Sequence, residues 1–133
     1  MTAVASPPKP RPAKPRSSIL NPGQLHARLE EIKARMGPPP WSTLLTLTDE
    51  MQASVIYQTP DTPNDRHYHL HDEWWVVMEG EISWEMEGYD EPVIARAGDF
   101  VLAPKNTFHY IRVLGDAPAV RIGITVTGEF HRH

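Results

Sequence analysis

No cysteine occurs anywhere in the 133 residues. A disulfide framework and a thiolate metal site are both excluded, so any metal chemistry must rest on nitrogen and oxygen donors. The same absence is compatible with every cellular compartment. Long apolar runs are also missing, and nothing approaches the roughly 20 residues that a membrane-spanning helix requires. The chain has no G-x-S-x-G nucleophile elbow, no phosphate-cradling G-x-x-x-x-G-K-[ST], no dinucleotide-binding G-x-G-x-x-G and no H-E-x-x-H. Serine hydrolysis, nucleotide use and zincin-type proteolysis are therefore poor readings.

Acidic residues are absent from residues 1–18, which hold Lys9, Arg11, Lys14, Arg16 and five prolines but no aromatic residue. That composition predicts a disordered basic tail acting as a solvated linker, without the continuous apolar core of a secretory signal, and hence a cytoplasmic protein. The chain has 13 basic and 17 acidic residues; with four basic ones in the tail, the remainder carries a net −8. A nucleic-acid partner is disfavoured by that sign, and a membrane by the lack of a span.

Residues 19–40 read as a helix with a proline-rich connector. Asn21 can cap it, Pro22 fits the first turn, Gln24 stands at the capping-box position, and Gly37 can end it before Pro38-Pro39-Pro40. Leu25, Leu29, Ile32 and Met36 form one apolar stripe suited to the outside of a barrel or to a second subunit. From Trp41 the period changes. Candidate strands run over 42–48, 51–59, 66–70, 73–78, 81–87, 93–95, 100–103, 108–114 and 120–127, separated by turns rich in Gly, Pro, Asp and Asn. Many short strands with such punctuation predict an all-β sandwich or barrel over residues 41–128, followed by a C-terminal tail at 129–133.

Four residues in this β region carry the chemistry. His67 and His69 are two apart, so on a strand both imidazoles point the same way. Glu73 opens the apolar run Trp74-Trp75-Val76-Val77-Met78 and can aim its carboxylate at the same point; His109 lies on a later strand. His71 shares the parity of His67 and His69, so a His69/His71 pair is also conceivable. Three nitrogens and one oxygen suit Fe, Mn, Co, Ni, Cu or Zn. Strand parity puts Trp75 and Val77 on the face of Glu73, and Ile111 and Val113 on the face of His109, as candidate pocket walls. Trp74, Val76 and Met78 face the other way. An apolar second face in a small protein predicts a homodimer with C2 symmetry, burying part of the Trp74 face or the helix.

At these residues the chain resembles the cupin family. The first family motif, G-x5-HxH-x3,4-E-x6-G, is met by His67, His69, Glu73 and Gly80. The second, G-x5-PxG-x2-H-x3-N, is met by Gly98, Pro104 and His109. Asp61, Asn106 and Val113 stand where the family has Gly, Gly and Asn. Asn106 is a mild departure, because asparagine tolerates a left-handed backbone better than most residues. The resemblance implies a double-stranded β-helix, or jelly roll, with one divalent transition metal per chain, Fe or Mn favoured, held by His67, His69, Glu73 and His109. The family spacing to Glu73 selects His67 and His69, leaving His71 in the turn as a solvated or outer group. It further implies dioxygenases acting on small organic acids or phenolic and enolic compounds, with decarboxylases and some isomerases. The leading expectation is a metal-dependent oxidoreductase of the dioxygenase type, with Glu73 also able to act as a carboxylate base. The alternatives are a non-catalytic cupin that binds a metal or small molecule, and a metal-assisted isomerase or lyase.

Overall fold

Strands whose inward residues are buried build the architecture seen in the computed structural model, which describes residues 19–20, 22–62, 66–129 and 132–133. The basic tail, the Asn21 cap, residues 63–65 of the polar turn and the His131 of the C-terminal tail lie outside the described residues. One helix, α1 (Leu29–Met36), precedes eight strands: β1 (Trp41–Leu47), β2 (Met51–Gln58), β3 (Glu73–Glu79), β4 (Glu81–Met86), β5 (Val93–Arg96), β6 (Phe100–Ala103), β7 (His109–Val113) and β8 (Ala119–Val126). All pairings are antiparallel. They form a five-stranded sheet in the order β1-β2-β8-β3-β6 and a three-stranded sheet in the order β5-β4-β7. This is the jelly roll that the sequence led us to expect. No helix among the described residues is long and apolar enough to cross a membrane.

The core lies between the sheets. Trp75 and Val77 from β3 meet Ile82, Trp84 and Met86 from β4 and Ile111 and Val113 from β7, all buried. The two-residue period explains the choice of side chains, since the residues between them, Trp74, Met78, Glu85 and Arg112, face outward and are exposed. The β3–β4 turn depends on Gly80. Its φ is +81°, and a Cβ there would come within 2.7 Å of the Ala119 Cβ.

The helix departs from expectation at its start. It begins at Leu29, with Arg28 as an N-cap that makes no side-chain cap bond. Gly23, at φ +81°, turns the chain directly after Pro22, so the first expected turn never forms and Leu25 is left 98% exposed. Leu29, Ile32 and Met36 do act as a stripe, packing on Val55, Tyr57, Val120 and Ile122 on the outer face of the large sheet. Gly37 ends the helix as expected, its N–H donating to Lys33 O at 2.8 Å. The Lys33 ammonium reaches both carboxylate oxygens of Glu79 at 2.6 and 2.7 Å, pinning the helix to the end of β3. This hydrogen-bonded partner raises the Lys33 pKa above its ordinary value, against a smaller opposing effect of burial. The helix covers the β1-β2-β8 side only. Trp74, Met78, Phe100 and Leu102, on the outer face of β3 and β6, stay exposed.

Candidate metal centre

Main-chain pairing sets the site before any side chain does. Residues 66–70, expected as a full strand, form two isolated bridges instead, because His67 pairs with His109 on one side and Tyr68 with Arg132 on the other. His67 N donates to His109 O at 3.1 Å and His109 N returns a bond to His67 O at 2.9 Å. The segment therefore extends the small sheet beside β7. Alternation then carries His67 and His69 inward, with Tyr68 turned away, as the parity argument required. Asn106 N donates to His69 O at 2.7 Å, and Asn106 takes φ +59°, the left-handed conformation expected of its place in the motif. Asp72 accepts from Lys105 N at 2.9 Å, fixing the same loop against the turn before β3.

His67, His69 and His109 are buried, and each offers a nitrogen within 4.8 Å of the others. Three such imidazoles could hold a metal ion. His109 Nε2 lies 3.1 Å from His67 Nε2, so the two nitrogens must share either a proton or a cation. Glu73 Oε1 is 3.5 Å from His69 Nε2 and 3.8 Å from His109 Nε2. That oxygen is buried without a hydrogen-bond donor among the described residues. Donors about 2.1 Å from one ion stand roughly 3.0 Å apart in octahedral and 3.4 Å apart in tetrahedral geometry. The separations given, 3.1 to 3.8 Å, lie within or slightly above that range, so the three histidines could close on a single divalent metal ion with the Glu73 oxygen beside them.

Further groups orient the ring nitrogens. His109 Nδ1 faces Thr107 O at 3.3 Å; a proton donated there leaves Nε2 with its lone pair toward the centre. Glu129 Oε1 lies 3.7 Å from His69 Nδ1, and its other oxygen meets His71 Nδ1 at 2.5 Å. A carboxylate behind a ligating histidine favours the tautomer whose far nitrogen is free to bind. No local pattern announces this role, since Glu129 lies in what reads as a C-terminal tail. The tail is instead drawn in by the Arg132–Tyr68 bridge, which leaves the Glu129 side chain only 3% exposed. His71 is an outer group, with its side chain half exposed.

A cavity of about 290 Å³ opens beside His69 and Glu73, bounded by Gln52, Ile56, Trp75 and Glu129. Of the expected pocket walls, Trp75 lines it. Val77, Ile111 and Val113 pack in the apolar core and are not among its lining residues, because they lie deeper between the sheets. The cavity exists in part because of Gly123, opposite Trp75 in the β3–β8 register: a Cβ there would come within 2.7 Å of the indole. Below it sits Arg121, 3% exposed, its Nη1 donating to Gln58 Oε1 at 2.6 Å and its Cζ 5.0 Å from the Trp75 ring centroid. Burial lowers the Arg121 pKa to about 10, with the Glu73 charge opposing the shift. Alternation along Val120-Arg121-Ile122-Gly123-Ile124 was the signal available for this residue.

The fold and the inward histidines define a jelly-roll protein with a candidate metal centre at the edge of its cavity. Residues 55–126 match the cupin domain, and the chain belongs to that family. Among solved structures, a cupin-like protein from Thermotoga maritima superposes with a TM-score of 0.60 at 23% identity, covering 66% of this chain and 68% of that one. KdgF from Halomonas sp. gives 0.54 at 24% identity, with coverage of 62% and 74%. The DMSP lyase DddQ from Ruegeria pomeroyi gives 0.59 at 23% identity, covering 66% of this chain but 47% of its own length. At these identities the likeness is one of fold. No curated protein sequence matches the chain.

Proposed function

We propose that the protein is a metal-dependent cupin enzyme, of the dioxygenase type, acting on a small organic acid or a phenolic or enolic compound. The observation that carries this reading is the meeting of three buried imidazoles and the Glu73 carboxylate at the wall of the cavity. His67, His69, Glu73 and His109 would hold one divalent ion, iron or manganese before zinc, nickel, cobalt or copper. Such an ion would supply Lewis-acid and one-electron chemistry beside a bound substrate. The chain's own residues do the rest. Thr107 O and Glu129 hold His109 and His69 in the required tautomers, while Trp75 and Ile56 present apolar surface that keeps water from the reacting end.

A lyase or isomerase reaction is the second reading, favoured by one feature of Glu73. Its buried Oε1 has no hydrogen-bond donor among the described residues and borders the cavity, where a carboxylate can take a proton from substrate carbon. The fold-level likeness to the DMSP lyase DddQ is compatible with that chemistry. Metal analysis of anaerobically purified protein, followed by a substrate screen in an oxygen electrode, tests both readings. One metal per chain with substrate-dependent oxygen uptake supports the dioxygenase. Substrate loss without oxygen uptake supports the lyase or isomerase, and protein that retains no added metal overturns both.

A further inference from the structure

The outer face of the small sheet carries an open groove of about 440 Å³ beside the β4–β5 turn. Glu85 and Tyr110, opposite each other in the β4–β7 register, form its floor, and the turn contributes Glu87, Tyr89, Asp90 and Pro92. Tyr89 is the platform, a large ring left 64% exposed with a proline near it. Around it, three carboxylates lack a cation. The ion pairs of the described residues lie elsewhere, Lys33 with Glu79 and Arg96 with Glu81 among them, and Glu87 takes only a 3.5 Å bond from Phe108 N. Arg66, which borders the groove, and Arg112 are turned onto the rings of Phe108 and Tyr110, with the guanidinium carbons 4.3 and 5.4 Å from the ring centroids. A rim of unpaired acid around exposed aromatic surface is complementary to a basic segment rich in proline.

The chain itself carries such a segment. Residues 10–16 read Pro-Arg-Pro-Ala-Lys-Pro-Arg, within an 18-residue stretch that holds four basic groups and no acidic one. We propose that these residues dock in the groove of the same molecule. A polyproline II helix has three residues per turn, so Pro12 and Pro15 share one face and Arg11 and Lys14 the next. The prolines lie on Tyr89 and Pro92 while the cations meet Glu85, Glu87 and Asp90, the mode by which proline-rich peptides fill aromatic grooves. Reach is sufficient. Ile19 is tied to β1 by its N–H, which donates to Leu44 O at 3.0 Å, and residues 12–18 extend about 22 Å from there, against a radius of gyration of about 13 Å for a domain of this size. Tethering supplies an effective concentration in the millimolar range, so exposed ion pairs that are individually weak suffice. The segment then acts as a strap in place of the solvated linker that its composition suggests.

Because the full chain has no cysteine, Ala13→Cys gives a single attachment point for a nitroxide, and Ala13 falls on the third, outward face of the segment. In nitrogen-15 spectra of the labelled full-length protein, the amides of Glu85, Glu87, Tyr89 and Asp90 should lose more than half their intensity relative to the reduced nitroxide, while those of β3 and β6 keep theirs. Neutralising the rim with Glu85→Gln, Glu87→Gln and Asp90→Asn together should restore at least half of the loss, and so should raising the salt to 0.5 M. Should the triple variant fail to fold, Arg11→Ser with Lys14→Ser removes the charge from the segment instead, with the same restoration expected. Intensities kept throughout, losses centred elsewhere, or a groove signal unmoved by loss of charge would each overturn the proposal. A last arm mixes nitrogen-15 protein lacking the nitroxide with unlabelled spin-labelled protein. Full intensity there supports docking within one molecule, and groove losses equal to those of the single sample would assign the segment to a second copy and overturn it.

Discussion

Replacing Arg121 by Met should make the protein more stable. Burial lowers the guanidinium pKa to about 10, and at about 1.36 kcal/mol for each tenfold change in proton affinity the folded state carries a penalty of roughly 3 kcal/mol for that charge. Met fills a similar elongated space and adapts to irregular surroundings. Against the gain stands the 2.6 Å bond to Gln58, whose amide oxygen is left buried without its donor, a loss of about 1–2 kcal/mol. The net expectation is a stabilisation of about 1–2 kcal/mol, or a rise in Tm of roughly 4–8 °C for a domain of this size. Differential scanning calorimetry of both proteins measures it directly. The sign with pH is also fixed: a cation whose folded pKa lies below its unfolded value is destabilising wherever both states are protonated, and the penalty fades as pH rises above about 10. The stability gap should therefore be constant between about pH 7 and 9. A variant whose Tm falls by several degrees would show that Arg121 is compensated within the fold.

Three other outcomes are expected. His69→Ala and His109→Ala should each lose most of the bound metal while keeping a β-type circular dichroism spectrum, and full metal occupancy in both would refute the ligand set. Glu129→Gln should lower metal affinity by about ten- to a hundredfold in a competition titration, since it keeps the shape of the group behind His69 and removes its charge; unchanged affinity would show that Glu129 only anchors the C-terminal segment. We propose, finally, that two copies associate through the outer face of β3 and β6, where Trp74 and Phe100 are 49% and 71% exposed beyond the reach of the helix. Sedimentation at micromolar concentration should show a dimer that Phe100→Glu converts to monomer, whereas a monomeric wild type would refute the pairing.

Where two periodicities agreed, the sequence was sufficient. His67 and His69 share strand parity with each other, Ile82, Trp84 and Met86 alternate cleanly, and each set is buried on one face. The helix start was misread because the signals at residues 21–24 are local, and Gly23 overrode the capping pattern that Pro22 and Gln24 suggest. Parity alone could not separate cavity from core: Val77 and Trp75 point the same way, and only the space left by Gly123 makes one of them a wall. Glu129 lay beyond reach for another reason. Its position depends on a bridge between residues 68 and 132, a contact across most of the chain that no local pattern encodes.

The reciprocal backbone bonds between His67 and His109 have a consequence for how this scaffold can change. Because the main chain holds both positions, the direction of each side chain is set by the pleat and not by what the side chain binds. Exchanging an imidazole for a carboxylate or an amide at either position would alter which ions and which reactions are admitted while leaving the frame in register. The arrangement behaves as a socket with replaceable contacts. Directed replacement at 67 and 109 is accordingly the economical route to new chemistry in this chain, whereas changes at Asn106 or Gly80 would distort the socket itself.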